Sequence, residues 1–222
     1  MRANEDEVVD ALVNRNKDII VSWESVRDQN PSEYIEKGYL DADDNVRLRT
    51  VSECCNCFGA GYKGFQGSGA KHKFEEDTDI KRLKFYPNGE WDNRLTPDGN
   101  SFMEFHINSA ENDKYAWSRL TELNQKIALF SHEKVSTAKY EAIFKGLYLV
   151  NKVESLKNKK VTYDRISKIM PTYYPKNVIA PKVIAEAYDK EGYMVAHFYD
   201  TEVLDAFQKK YAEDYKYICR WR

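Results

Sequence analysis

The chain has 222 residues, 42% hydrophobic and 14% aromatic with sixteen tyrosines, enough apolar side chain to bury a core and too much for a disordered polymer. Thirty-four bases against thirty-six acids leave a net charge of −2, so no global pull toward nucleic acid exists, and no apolar run of about 18 residues is present to span a membrane. The start, MRANEDEVVDAL, lacks the basic and long apolar parts of a signal peptide, which points to a cytoplasmic protein whose cysteines are thiols or ligands rather than disulfides.

Residues 1–45 form an acidic helical part of a single domain spanning 1–222. Asn4 with Glu7 three residues later predicts a capped helix carrying Val8, Val9, Leu12 and Val13, and Ile19, Ile20, Trp23 and Val26 continue the helical spacing. Asn30-Pro31-Ser32 ends that pattern and starts a short helix through Tyr34 and Ile35. Twelve acids against seven bases in residues 1–50 would suit a protein partner.

Residues 46–170 read as a β-rich core. VRLRTV at 46–51 alternates, and IKRLKFY at 80–86 runs into Pro87-Asn88-Gly89 and Glu90-Trp91, which predicts a hairpin. SFMEFHI at 101–107 puts Phe102, Glu104 and His106 on one face, and Ser109 starts a helix with Trp117, Leu120 and Leu123. KIALF at 126–130 and KYEAIFKGLYLV at 139–150 predict buried strands, with a bulge or close approach at Gly146. A polar turn over 154–160 then leads to the strand VTYDRI at 161–166. Residues 171–222 read as helix, strand, helix, with the first helix after Pro181 and the last capped by Asp200 or Thr201. The class is α+β: a mainly antiparallel curled sheet or small barrel flanked by helices.

Chemistry is concentrated in ECCNCFGAGYKGFQGSGAKHK at 53–73. Cys54 and Cys57 have metal-pair spacing and His72 could be a third ligand, a candidate zinc site with a fourth ligand from His106, Cys219 or an acid. No second Cys-x-x-Cys supports it, so a chain without a cofactor is the main expectation. The glycines lack the G-x-x-x-x-G-K-[ST] pattern of a phosphate loop. What remains is a mobile loop whose Phe65, with Tyr62, could stack on a base while Lys63, Lys71 and Lys73 reach phosphates. Residues 134–168 hold nine bases against Glu141, Glu154 and Asp164, a local excess able to attract a polyanion. Catalytic sets are sparse: four scattered histidines, no nucleophile elbow, and acids at 77, 79, 98 and 104 that a metal-dependent nuclease would have to bring together.

KIALF, KYEAIFKGLYLV and VTYDRIS, with Phe144, Gly146, Tyr148 and Arg165-Ile166, resemble PUA-like β-barrel modules, the group that includes SRA and EVE-type modified-base readers and versions linked to HNH restriction nucleases. After Arg165-Ile166 no HNH-like histidine cluster follows, which leaves binding rather than cleavage. The resemblance implies a DNA- or RNA-binding module of a restriction or antiviral-defence setting, reading a modified or flipped base. Trp91, Phe105 and Tyr148 would line its pocket, with Lys145, Lys152, Lys159 and Lys160 on phosphates. The alternatives are a metal-dependent nuclease, and an interaction or inhibitor protein acting through its acidic N-terminal helices.

Overall fold

The strands expected between residues 126 and 166 form the middle of an eight-stranded sheet in the computed structural model, which describes residues 31–67, 69–121, 125–136 and 140–220. The helices expected over residues 4–26 lie outside the described residues. In chain order the elements are α1 (Ser32–Lys37), β1 (Tyr39–Asp41), β2 (Arg47–Leu48), α2 (Val51–Asn56), β3 (Gly69–Lys71), β4 (Thr78–Leu83), β5 (Arg94–Leu95), β6 (Ser101–Glu104) and α3 (Ser109–Thr121). There follow β7 (Lys126–Lys134), β8 (Tyr140–Val150), α4 (Lys152–Asn158), β9 (Val161–Ser167), β10 (Ile169–Pro171), β11 (Ala185–Tyr188), β12 (Met194–Phe198), α5 (Thr201–Tyr211) and β13 (Lys216–Cys219).

The sheet order is β3-β4-β7-β8-β9-β6-β5, with β2 also on β8. It is α+β and mainly antiparallel as expected, with β4 and β7 running parallel, and it stays open rather than closing into a barrel. Gly146 organises the longest strand. Its φ is +122°, and a Cβ there would meet the Ser167 carbonyl oxygen at 2.5 Å, so only glycine fits. The register shifts beside it on both flanks. Before the irregularity β8 pairs with β2 and after it with β9, so one strand serves two neighbours on the same side.

Alternating side chains of β7 feed two cores. Ala128 and Phe130 pack with α2 and Phe144, whereas Ile127 and Leu129 pack with Phe102, Tyr148 and Tyr163 on the face that α3 partly covers. A third core joins the β12-β11-β13 sheet to Leu204 and Phe207 of α5, whose first amides donate to the Asp200 side chain as expected.

Several expectations are corrected. The segment 46–51 is a strand only at Arg47–Leu48, because Thr50 and Glu53 form a capping box that starts α2. All six residues of α2 are buried, so the front of ECCNC is core rather than mobile loop. Gly89 makes a left-handed turn (φ +91°), but no hairpin forms: β4 pairs with β3 and β7, and Trp91 bridges His106 instead. Residues 152–158 are helical, capped by Asn151 and closed by Lys159 at φ 53°. The helix expected after Pro181 is β11, which pairs with β12 and with the unforeseen β13. Helix α3 is started by Asn108, whose side chain accepts from the amides of Ala110 and Glu111, and Trp117 points outward, 74% exposed.

Candidate nucleic-acid interface

β3 leaves β4 after the pair Gly69↔Lys81, and a cavity of about 600 Å³ opens over the edge that is thereby uncovered. It lies within the ordinary size range of ligand sites. One half faces α3 and is walled by Trp91, Tyr115, Lys81 and Glu104; the other half carries Arg82, Lys84 and His132. The halves differ because Lys81 and Arg82 are adjacent on a strand and point to opposite faces.

On the α3 side the polar groups are locked together. Lys81 Nζ donates to both Glu104 oxygens at 3.0 and 3.1 Å and to the Tyr115 hydroxyl at 3.1 Å, and that hydroxyl donates to Glu104. Burial lowers the Lys81 pKa, opposed by Glu104, and burial with the Glu104 charge raises that of Tyr115. Arg119 pairs with Asp79 at 3.0 Å, and its guanidinium carbon lies 5.4 Å from the Tyr115 ring centroid. Tyr115 in turn stands edge-to-face with Trp91, centroids 5.0 Å apart. The indole packs edge-to-face against both Tyr115 and His106, the latter 5.2 Å away, and lines the cavity.

Three lining residues carry buried polar atoms with no hydrogen-bond partner: Asn93 Oδ1, Arg82 Nε and His132 Nε2. Buried polar atoms are nearly always paired, so these three are exceptions; each is shielded from solvent and meets a ligand only when its side chain turns toward the cavity. Asn93 itself is anchored, its Nδ2 donating to the Lys84 carbonyl at 3.3 Å. The lining has four cations, Lys81, Arg82, Lys84 and Arg119, against the one carboxylate of Glu104, a local positive field on a nearly neutral chain.

Of the expected pocket residues, only Trp91 is here. Phe105 lies outside the lining, beneath the Lys160 ammonium at 3.9 Å, with Arg94 at 5.7 Å. Tyr148 is fully buried, its ring 5.1 Å from Phe102 and its hydroxyl donating to the Gly99 carbonyl at 2.5 Å, so it belongs to the core and cannot meet a ligand. The expected phosphate lysines are dispersed. Lys145 pairs with Glu133 at 2.8 Å and Lys71 with Asp79 at 2.9 Å. Lys73 lies 5.6 Å above Tyr62, Lys63 lines a separate cavity with Tyr62 and Tyr174, Lys152 begins α4 and Lys159 ends it. Phe65 stands 86% exposed on the loop whose Gly67 reaches the cavity.

The metal expectation gains no support. Cys54 and Cys57 are buried, and desolvation pushes both thiols well above their usual pKa. His72 Nδ1 accepts from the amides of Phe74 and Glu75 at 3.0 Å, and among the described residues no three His, Cys, Asp or Glu side chains converge on one point. The acids proposed for a nuclease are dispersed too. Asp79 is tied to Arg119 and Lys71, Asp77 to Lys126 at 3.3 Å, Asp98 accepts within its own turn, and Glu104 holds Lys81.

Sequence reading missed Lys81, Arg82, Asn93, Tyr115, Arg119 and His132. One signal was available: Glu104 shares a strand face with Phe102, and a carboxylate on an apolar face implies a buried partner.

The search of curated proteins finds no match. The solved structure titled "The 5-Hydroxymethylcytosine-Specific Restriction Enzyme AbaSI" matches with a TM-score of 0.59 and 27% identity, over 77% of this chain and 56% of that one. The chain therefore spans little more than half the length of that relative. The sequence model of the SET and RING associated domain matches residues 33–172, which take in the whole central sheet and both walls of the cavity. The chain belongs to the SRA family, within the PUA-like group that its central strands resemble.

Proposed function

We propose that this protein is a DNA-binding module that reads a modified base, swung out of the duplex into the Trp91 cavity, in a restriction setting. The observation that carries the reading is a cavity, on an SRA sheet, lined by an indole, by residues with partnerless polar atoms and by an excess of cations. Swinging a base out costs a few kcal/mol, and stacking on an aromatic face returns about 1–3 kcal/mol. Asn93 Oδ1, turned toward the cavity, is an acceptor suited to the exocyclic amine of cytosine. Phe65 would fill the space that the base leaves, with Lys63, Lys73, Lys152, Lys159 and Lys160 reaching phosphates and Lys71 and Lys145 doing so by exchanging their carboxylate partners. No described helix is long and apolar enough to cross a membrane, and the reading places the chain with DNA in the cytoplasm.

Fluorescence anisotropy with duplexes carrying one cytosine, 5-methylcytosine or 5-hydroxymethylcytosine, repeated over a salt series, tests this. Preference for one modified duplex, lost in Trp91→Ala and weakened by salt, is the expected result. Equal binding of all three duplexes with no change in Trp91→Ala would remove it.

A further inference from the structure

The half of the cavity away from α3 is built unlike a site for a neutral base edge. Arg82 is in register with Phe130 across the parallel β4–β7 pair, so it shares a face with His132, two residues further along β7. Lys84 follows on the same wall. Neither Arg82 nor Lys84 forms an ion pair among the described residues, and the one carboxylate of the lining, Glu104, is committed to Lys81 and Tyr115 on the other face. Arg82 Nε and His132 Nε2 are buried without partners. A guanidinium partly removed from water with no anion beside it is costly. Elsewhere in this chain partly buried cations have carboxylates: Lys81 has Glu104, Arg119 has Asp79, and Lys126 has Glu75 and Asp77. Burial, and then the charges of Arg82 and Lys84, hold the His132 pKa down at about 4, so the ring is neutral at pH 7 and can direct a hydrogen from Nε2. Its orientation is set by Tyr140, edge-to-face at 4.7 Å.

We propose that Arg82, Lys84 and His132 form an oxyanion subsite, which takes carboxylate or phosphate oxygens presented by the nucleic acid. The identity of the ligand as nucleic acid rests on the function proposed above; the anion site itself does not. Two sources offer the same chemistry. One is an acidic substituent on the inserted base, of which 5-carboxylcytosine is the simplest example. The other is the backbone phosphate beside that base. Charge-assisted hydrogen bonds contribute about 1.5–3 kcal/mol each, so losing the main donor should weaken binding on the order of 10- to 100-fold.

The test uses the full chain. Inorganic phosphate, titrated against thermal unfolding, should stabilise the protein saturably, and Arg82→Gln and Lys84→Gln should each reduce that response. Anisotropy with 5-carboxylcytosine, 5-hydroxymethylcytosine and cytosine duplexes then separates the sources. Selective loss of the carboxylated duplex in Arg82→Gln assigns the subsite to the base, and equal loss on all three assigns it to the backbone. If Arg82→Gln fails to fold, Lys84→Gln and His132→Gln carry the same comparison. Absence of stabilisation by phosphate, with all variants binding every duplex as the parent does, overturns the proposal. A Trp91-dependent preference for a modified duplex that survives that outcome would leave the base-reading function standing. A phosphate response without Trp91 dependence would do the reverse.

Discussion

Replacing Glu104 by Gln isolates the charge that holds the inner wall of the cavity. Glu104 is 5% exposed and the Lys81 side chain 13% exposed, and two carboxylate contacts at 3.0 and 3.1 Å neutralise the ammonium. The amide keeps the shape and can still accept from Lys81 and Tyr115, but it leaves a buried cation uncompensated next to Arg119. Removing one partner of a buried pair costs about 3–5 kcal/mol, and the retained hydrogen bonds place Glu104→Gln near the lower figure. That is a large share of the roughly 5–15 kcal/mol that holds a domain folded. Urea unfolding at pH 7 measures it, with an unchanged slope as the check that only stability has moved. Lys81→Met combined with Glu104→Gln removes the stranded charge, so the double variant should lose less than the two single losses added together. A single-variant loss below about 1 kcal/mol, or strict additivity, would show that water already solvates Lys81 and that the network is not the rigid support described above.

Other outcomes follow from the same geometry. Gly146→Ala forces a Cβ against the Ser167 carbonyl at a φ of +122°; the backbone strain alone is about 1–3 kcal/mol, and an unchanged thermal midpoint would contradict the bulge. Burial lowers the pKa of both His72 and His197 from 6.5 to about 4. The unfolded chain therefore takes up these protons first as pH falls, and the stability the rings contribute is complete above about pH 6.5 and is lost toward pH 4. Urea midpoints should already decline between about pH 6.5 and 5, above the carboxylate range, and a flat profile there would refute the burial argument. Cys219 is the exposed cysteine, while burial pushes Cys55 up to about 12 and Cys54 and Cys57 well above their usual value. Ellman's reagent should thus titrate one thiol quickly in the native protein and four in urea; a second fast thiol would mean that α2 opens. Phe65→Ala should change stability by less than about 0.5 kcal/mol yet lower duplex affinity about tenfold, and equal affinities would dismiss it as a wedge.

Local chemistry was legible wherever a short run determines its own conformation. The alternating apolar and aromatic residues of β7, β8 and β9 have one buried arrangement, Gly146 announces a backbone that no side chain tolerates, and Asp200 supplies the acceptor that α5 needs. Thr50 and Glu53 carried the same kind of signal for α2, hidden by the alternation of the preceding residues. Pairing partners were not legible. Asn88-Gly89 makes its turn whether or not the flanking strands meet, and β4 takes β3 and β7 because Ile80 must join the core built by Ala128 and Phe130. Val183 and Ile184 lead into β11 rather than a helix because β12 and β13 satisfy its backbone on both sides. The cavity was the least legible part. It joins Lys81, Trp91, Glu104, Arg119 and His132 from separate elements, and Lys81 is distinguished from a solvated surface lysine only by the carboxylate 23 residues away that folding carries to it. By itself the sequence determined an α+β chain whose central strands resemble PUA-like modules; tertiary structure alone decided which charges were removed from water, because burial depends on neighbours that no local run contains.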